Sequence, residues 1–139
     1  MDLYAETILD HYRHPRNHSP LPRKTVEHDE ANLSCGDTLH IELQIENEKV
    51  TGISWKGEGC AISQASMSML SEELLGKTTD ALEQLKKTDI YDLLGVPVGP
   101  RRFKCALLSL HTLKNALRKA HGKEPQSWLQ TVELSETAL

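Results

Sequence analysis

Aromatic side chains are scarce in this chain of 139 residues: one Phe, two Trp and three Tyr make up 4% of it. Its core must therefore come from Leu, Ile, Val, Ala and Met. Long apolar runs are missing too. No stretch approaches the roughly 18 residues that a membrane-spanning helix needs. The N-terminal MDLYAETILD is acidic and amphipathic. It has neither the basic-then-apolar order of a signal peptide nor the Arg-rich character of a transit peptide. No sign of charge dominates: 16 Lys and Arg against 20 Asp and Glu leave a net charge of −4. That balance argues against a dedicated nucleic-acid binder, and no like-charge run forms a tail. Repeats and low-complexity segments are absent. A bacterial-type cytosolic protein is the simplest reading. The length suits one domain over residues 1–139, large enough to bury a core without disulfides.

Paired cysteines are the next absence. There are three cysteines, Cys35, Cys60 and Cys105, and no CxxC knuckle. An odd count would leave one thiol outside any disulfide, and nothing suggests an oxidising compartment. Three small buried hydrophobes would be the bland alternative. Position speaks against it, because each cysteine falls at the boundary of an expected element and not within an apolar face.

The elements follow from periodicity. Residues 2–13 read as a helix, with Asp2 as cap and Leu3, Tyr4, Ile8 and Tyr12 on one side. Pro15, Pro20 and Pro22 end it. A loop or short strand at about 23–31 follows. Residues 38–46 alternate, with Leu39, Ile41, Leu43 and Ile45 on one face, as a half-buried strand does. Asn47-Glu48 is a tight turn, and residues 49–56 return as a second strand with a bulge expected near Gly52. A helix is expected over about 61–75 with Gly76 as its stop. A short helix over about 79–86, capped by Thr78 or Thr79, comes next. Residues 89–100, with Gly95, Pro97, Gly99 and Pro100, read as a loop. The last long helix starts near Arg102, carries Phe103, Ala106, Leu110, Leu113, Leu117 and Ala120 in one stripe, and ends at Gly122. The core would span about 2–120, and 121–139 would be a tail with a weak helix around Trp128. The order implies an α+β fold: a small antiparallel sheet of about three strands packed against several helices.

Two of the cysteines, Cys60 and Cys105, sit at expected helix N-termini, where the dipole favours a thiolate. Gly36 allows Cys35 and Asp37 to aim the same way, and Gly57 and Gly59 allow close backbone approach. Three thiolates and one carboxylate could close a tetrahedral zinc shell or hold an Fe–S cluster with the carboxylate as the more labile ligand. Spacing alone does not decide for a shared site.

The segments around these residues carry a family likeness. Asp10-His11-Tyr12 with Pro15-Arg16-Asn17 resembles the DHY..PRN signature of the NifU N-terminal/IscU/SufU family of iron–sulfur scaffold proteins. Ser34-Cys35-Gly36-Asp37 resembles its CGD loop. Gly57-Glu58-Gly59-Cys60-Ala61-Ile62-Ser63, then Ala65-Ser66 and Ser68-Met69, resembles its GxGCxIS.AS.SM segment. Lys104-Cys105-Ala106-Leu107-Leu108 resembles its last-cysteine helix. The likeness implies that Cys35, Asp37, Cys60 and Cys105 meet at one exposed end and bind Zn2+ or a transient [2Fe–2S] cluster. It implies sulfur acceptance, with Cys105 as acceptor, from a pyridoxal-phosphate cysteine desulfurase. Apo Fe–S proteins would receive the product, and Arg102 and Lys104 would meet the partner. Lys104 stands where the IscU type has His, and Val98-Gly99-Pro100-Arg101-Arg102 replaces its LPPVK motif; both departures resemble SufU. Yet the chain lacks the insertion usual in SufU before its RxKC pattern, and Asn32-Leu33 replaces the usual Asn-Pro.

Two functions follow as expectations: a scaffold that builds or relays clusters, or a zinc-dependent sulfurtransferase that activates a desulfurase without holding a cluster. A structural zinc domain is a weaker third reading, because such sites favour CxxC pairs. A metallohydrolase is weaker still, because no HExxH or HxE…PCxxC pattern exists. Of the remaining candidates, His11 and His14 are expected as surface or end-of-helix polar residues and not ligands, His111 at the surface, Met67 and Met69 in the packing, Trp55 and Trp128 in core or rim, and Glu58 in solvent.

Overall fold

A computed structural model describes residues 3–137, with side chains placed over 5–132. Asp2, expected as the first helix cap, lies outside the described residues, as do the side chains of Leu3 and Tyr4. The order is α1 (Leu3–Arg13), β1 (Val26–Asn32), β2 (Asp37–Glu46), β3 (Lys49–Glu58), α2 (Ala61–Glu72), α3 (Thr79–Glu83), α4 (Lys87–Leu94), α5 (Phe103–Ala120) and α6 (Trp128–Thr137). The strands form one antiparallel sheet in the order β1-β2-β3. This is the α+β arrangement that the periodicities implied. Among the described residues no helix is long and apolar enough to cross a membrane.

Alternation sets the sheet. Leu39, Ile41 and Leu43 of β2 are buried, and they meet Ile53, Trp55 and the helices on one face. α5 packs across β1 and β2, α2 lies beside it against β3, and α1 covers α2. The β2–β3 turn is Asn47-Glu48, with φ of 52° and 59°. Positive φ at both centres is the hairpin-compatible type I′ conformation, here adopted without glycine. Contacts hold the Glu48 strain in place: its carboxylate accepts from Thr79 Oγ1 (2.8 Å) and pairs with His121 Nε2 (2.9 Å). The register shifts between Gln44 and Ile45, so the extra residue of β3 is Thr51, beside Gly52.

α2 is held by its serines. Ser66 Oγ donates to the Ala106 carbonyl (2.8 Å) and lies 2.7 Å from Ser109 Oγ, which joins α2 to α5. On its other side Ser68 Oγ accepts from the Arg16 N–H (2.9 Å) and meets His11 Nδ1 (2.8 Å), while Asn17 Nδ2 donates to Ser71 Oγ (2.9 Å). Arg16 also pairs with Asp10 at 2.6 Å. The carbonyl of Arg16 takes the indole N–H of Trp55 (2.7 Å). Asp10, His11, Arg16 and Asn17 therefore serve as a clasp that fastens α1 to α2 and β3.

Several expectations are corrected. His111 is buried, not at the surface, and His11, an end-of-helix residue in the last turn of α1, is buried as well. His11 is drawn in by Ser68, and His111 bonds Thr131 Oγ1 (2.7 Å) and stacks on Trp128 with centroids 4.3 Å apart. That stack ties α6 to α5. His14 and Glu58 are exposed, and Met67, Met69 and Trp55 are buried, as expected. Residues 89–94 of the expected loop over 89–100 belong to the helix α4. Asp89 caps α4 by accepting from the Lys86 N–H (2.7 Å), Ile90 and Leu94 are buried one turn apart, and Gly95 ends it at φ 69°. The Gly and Pro residues that suggested a loop begin only there. α2 ends at Glu72, earlier than Gly76, because Gly76 donates to the Val50 carbonyl (2.8 Å) and Val50 to the Lys77 carbonyl (3.0 Å), which pulls the chain onto β3. Tyr12, placed by spacing with the apolar side of α1, is exposed.

Burial lowers the pKa of His11, His18 and His111; at His11 the Arg16 charge adds to it, and at His111 the nearby Glu30 opposes it. The unfolded chain then takes up protons first as pH falls through about 6.5, so the folded state loses stability there. The urea midpoint should drop between about pH 7.5 and 5.5, and His111→Gln should flatten that drop while lowering the midpoint itself. A midpoint indifferent to pH in this window would contradict the burial of these rings.

Candidate metal centre

The three cysteines come to one end of the sheet, where β1 turns into β2, β3 runs into α2, and α5 begins. The β1–β2 turn is closed by the Asn32–Asp37 pair. Cys35 N–H and Gly36 N–H both donate to the Asn32 carbonyl (3.3 and 2.9 Å), and Gly36 has φ 73°. This tight turn leaves Cys35 exposed while Asp37 is wholly buried.

A buried carboxylate must be hydrogen-bonded. Asp37 Oδ1 accepts from the Cys60 N–H at 2.9 Å, and Oδ2 accepts from Asn32 Nδ2 at 3.4 Å. The first bond fixes the start of α2, where Cys60 is the N-cap in extended conformation and its thiol caps nothing. It also explains Gly59. This residue has φ +142°, and a Cβ there would overlap Asp37 Oδ1 and its Cα. Gly57 is equally confined, by the Thr38 carbonyl and the Leu39 side chain.

Cys105 lies in the first turn of α5 and is 4% exposed. Its Sγ is 3.5 Å from Cys35 Sγ and 3.8 Å from Asn32 Nδ2. One ligand atom each of Cys35, Asp37 and Cys105 lies within 4.8 Å of the other two. The edge of a tetrahedron with Zn–S near 2.3 Å is about 3.8 Å, so three ligand atoms this near could close on one small ion. Cys60 borders the three, tied in by its backbone and half-buried, but its thiol is not within the 4.8 Å set. Two soft sulfurs and one hard oxygen, with a third sulfur adjacent, suit Zn2+ or an Fe–S cluster.

The dipole argument for a thiolate fails at Cys105. Burial pushes its thiol far up, and hydrogen bonds with Cys35 and Asp37 and the proximity of Cys60 push the same way. Desolvation outweighs the helix end. The protein's own groups therefore keep this sulfur protonated, and a bound cation would have to displace that proton. Arg102 is exposed at the N-cap of α5 and Lys104 is half-buried in its first turn, both beside the site. Sequence reasoning overlooked the amide of Asn32 and the 91% exposure of Leu33. The signal for Asn32 was its place opposite Asp37 across a tight turn.

Residues 3–127 match the model of the NifU-like N-terminal domain. The chain belongs to that family. It is 33% identical over 137 residues to the zinc-dependent sulfurtransferase SufU of Bacillus subtilis (86% of this chain, 92% of the relative). It is 30% identical over 133 residues to the iron–sulfur cluster assembly scaffold protein IscU of Thermotoga maritima (84% and 94%). A crystal structure described as an iron–sulfur cluster assembly scaffold protein for the SUF system, from Fervidobacterium islandicum AW-1, superposes with a TM-score of 0.71 at 27% identity, covering 81% of this chain and 94% of that one.

Gly59→Ala should lose about 1–3 kcal/mol from backbone strain plus the displacement of Asp37. Gly76→Ala, with φ +81° but open space around its Cβ, is the control for strain alone. Denaturant midpoints and bound-zinc stoichiometry of the two variants check this. Equal losses with zinc retained in both would contradict the Gly59–Asp37 contact.

Proposed function

We propose that this protein serves iron–sulfur cluster assembly, taking sulfur from a pyridoxal-phosphate cysteine desulfurase at the site of Cys35, Asp37, Cys60 and Cys105 and passing it toward apo Fe–S proteins. The observation that carries the reading is the convergence of Cys35, Asp37 and Cys105 within 4.8 Å, with only Cys35 of the three open to solvent. A structural zinc knuckle would have no use for an exposed thiol, whereas a site that trades sulfur with a partner must present one.

The transfer is a thiol–persulfide exchange. The acceptor thiol first gives up its proton to solvent, as a bound cation would promote; its thiolate then attacks the outer sulfur of the desulfurase persulfide, a new S–S bond forms, the old one breaks, and the desulfurase cysteine leaves as thiolate. We assign the acceptor to Cys105. Cys35 lies over it, 3.5 Å away in the Gly36 turn, and a shift of that turn would expose it. Asp37 holds the Cys60 backbone in place throughout. Exposed Arg102 and half-buried Lys104 flank Cys105 in the chain, exposed Leu33 precedes Cys35, and these would form the contact surface for the desulfurase. A cytosolic setting agrees with three reduced thiols.

Two occupants fit, and one observation favours zinc. Lys104-Cys105 resembles the SufU pattern and offers no imidazole ligand, so Cys60, beside Cys35, Asp37 and Cys105, is the group that would complete a Cys3Asp shell. Zinc would supply acidity to the thiols and hold the turn and the two helix starts together. A [2Fe–2S] cluster would instead be cargo, with Asp37 as its exchangeable corner.

Cys105→Ser should keep the fold and abolish stimulation of the desulfurase, and the variant should gain no mass equal to one sulfur atom. Undiminished stimulation, or persulfide appearing on Cys35 instead, would move the acceptor role. Asp37→Ala separates the two occupants. If a cluster is carried, the variant should hold it longer and release it more slowly to an apo ferredoxin; unchanged transfer would remove that role from Asp37.

A further inference from the structure

Asn32 is the side chain at this site to which no role is yet attached. It is 3% exposed, at the last position of β1, and its Nδ2 faces two of the converging groups at once: Asp37 Oδ2 at 3.4 Å and Cys105 Sγ at 3.8 Å. A buried amide donor is costly unless it is used. Its Nδ2 can donate to one carboxylate oxygen and one sulfur, the two atoms through which Asp37 and Cys105 would hold a cation. The backbone of Asn32 has a separate duty, accepting from Cys35 and Gly36 to close the turn, and any residue can perform it.

We infer that Asn32 is a positioning residue of the metal centre: its amide donates to Asp37 and Cys105, fixes their orientation and tempers the charge of the Cys105 sulfur. The inference rests on the reading of this site as a metal centre. Groups that hydrogen-bond a metal ligand from behind fix its orientation, and their loss costs about 10–100-fold in metal affinity. An N–H···S bond also withdraws electron density from a thiolate, so a metal bound by it sees a weaker donor.

Two variants separate this role from simple space filling. Asn32→Asp keeps shape and volume but replaces the donor with a carboxylate beside Asp37. Asn32→Ala removes the donor and the volume. Far-UV circular dichroism establishes that each is folded, and Asn32→Asp carries the test if Asn32→Ala is not. Co2+ serves as the spectroscopic probe, and Zn2+ affinity is read by competition with a chromophoric chelator. In both variants Zn2+ affinity should fall by about tenfold or more. In Asn32→Ala the thiolate-to-cobalt absorption should move to longer wavelength, because the sulfur is no longer tempered. A packing role predicts instead that Asn32→Ala loses affinity with no shift of the cobalt absorption. Unchanged affinity and spectrum in folded variants, with the unaltered protein binding one Co2+, would overturn the role of Asn32 alone. Failure of the unaltered protein to bind either ion would overturn the metal centre, and this inference with it.

Discussion

A carboxylate removed from water has to be hydrogen-bonded, and Asp37 is such a carboxylate. Its bond from the Cys60 N–H joins the β1–β2 turn to the β3–α2 junction. That single contact fixes which residue precedes Cys60, since only glycine fits at position 59 with φ +142° against the carboxylate. It also fixes where α2 starts. Once α2 is placed, its serines set the distance to α5 through Ser66 and Ser109, and with it the position of Cys105. The three cysteines thus share one end of the molecule because one buried carboxyl group demands partners there.

The family's signature residues divide into two groups by physical task. Cys35, Asp37, Cys60 and Cys105 gather at the site. Asp10, His11, Arg16 and Asn17 make their bonds elsewhere. They satisfy the polar face of α2 and the indole of Trp55, and so hold the helix that presents Cys60. A sequence pattern spread over the chain can therefore signal a single site even when half of its members serve only packing.

The sheet was legible because strict alternation in β2 leaves only one face to bury. The long helix α5 was legible from its apolar stripe. Less was visible where polar groups do the holding. His11 and His111 carry polar labels, yet each finds a hydroxyl inside the protein, a contact that depends on residues 57 and 20 positions away. α4 was hidden by the Gly and Pro residues that follow it, although Asp89 was an available cap. At the site the cysteines and Asp37 could be named, but the amide of Asn32 could not, because its importance arises only from the turn that sets it opposite Asp37. The thiol of Cys105 was misjudged for a related reason: periodicity placed it beside the apolar stripe, and the packing that desolvates it is tertiary.

The central claim is that one metal ion is held by cysteine sulfurs together with the Asp37 oxygen. X-ray absorption at the zinc edge, on protein loaded with one equivalent of Zn2+, tests it most directly. The account predicts a four-coordinate shell of three sulfurs at about 2.3 Å and one lighter atom at about 2.0 Å, with the lighter atom lost or replaced in Asp37→Ala. A shell of oxygen and nitrogen alone, or one unaltered by that substitution, would contradict it.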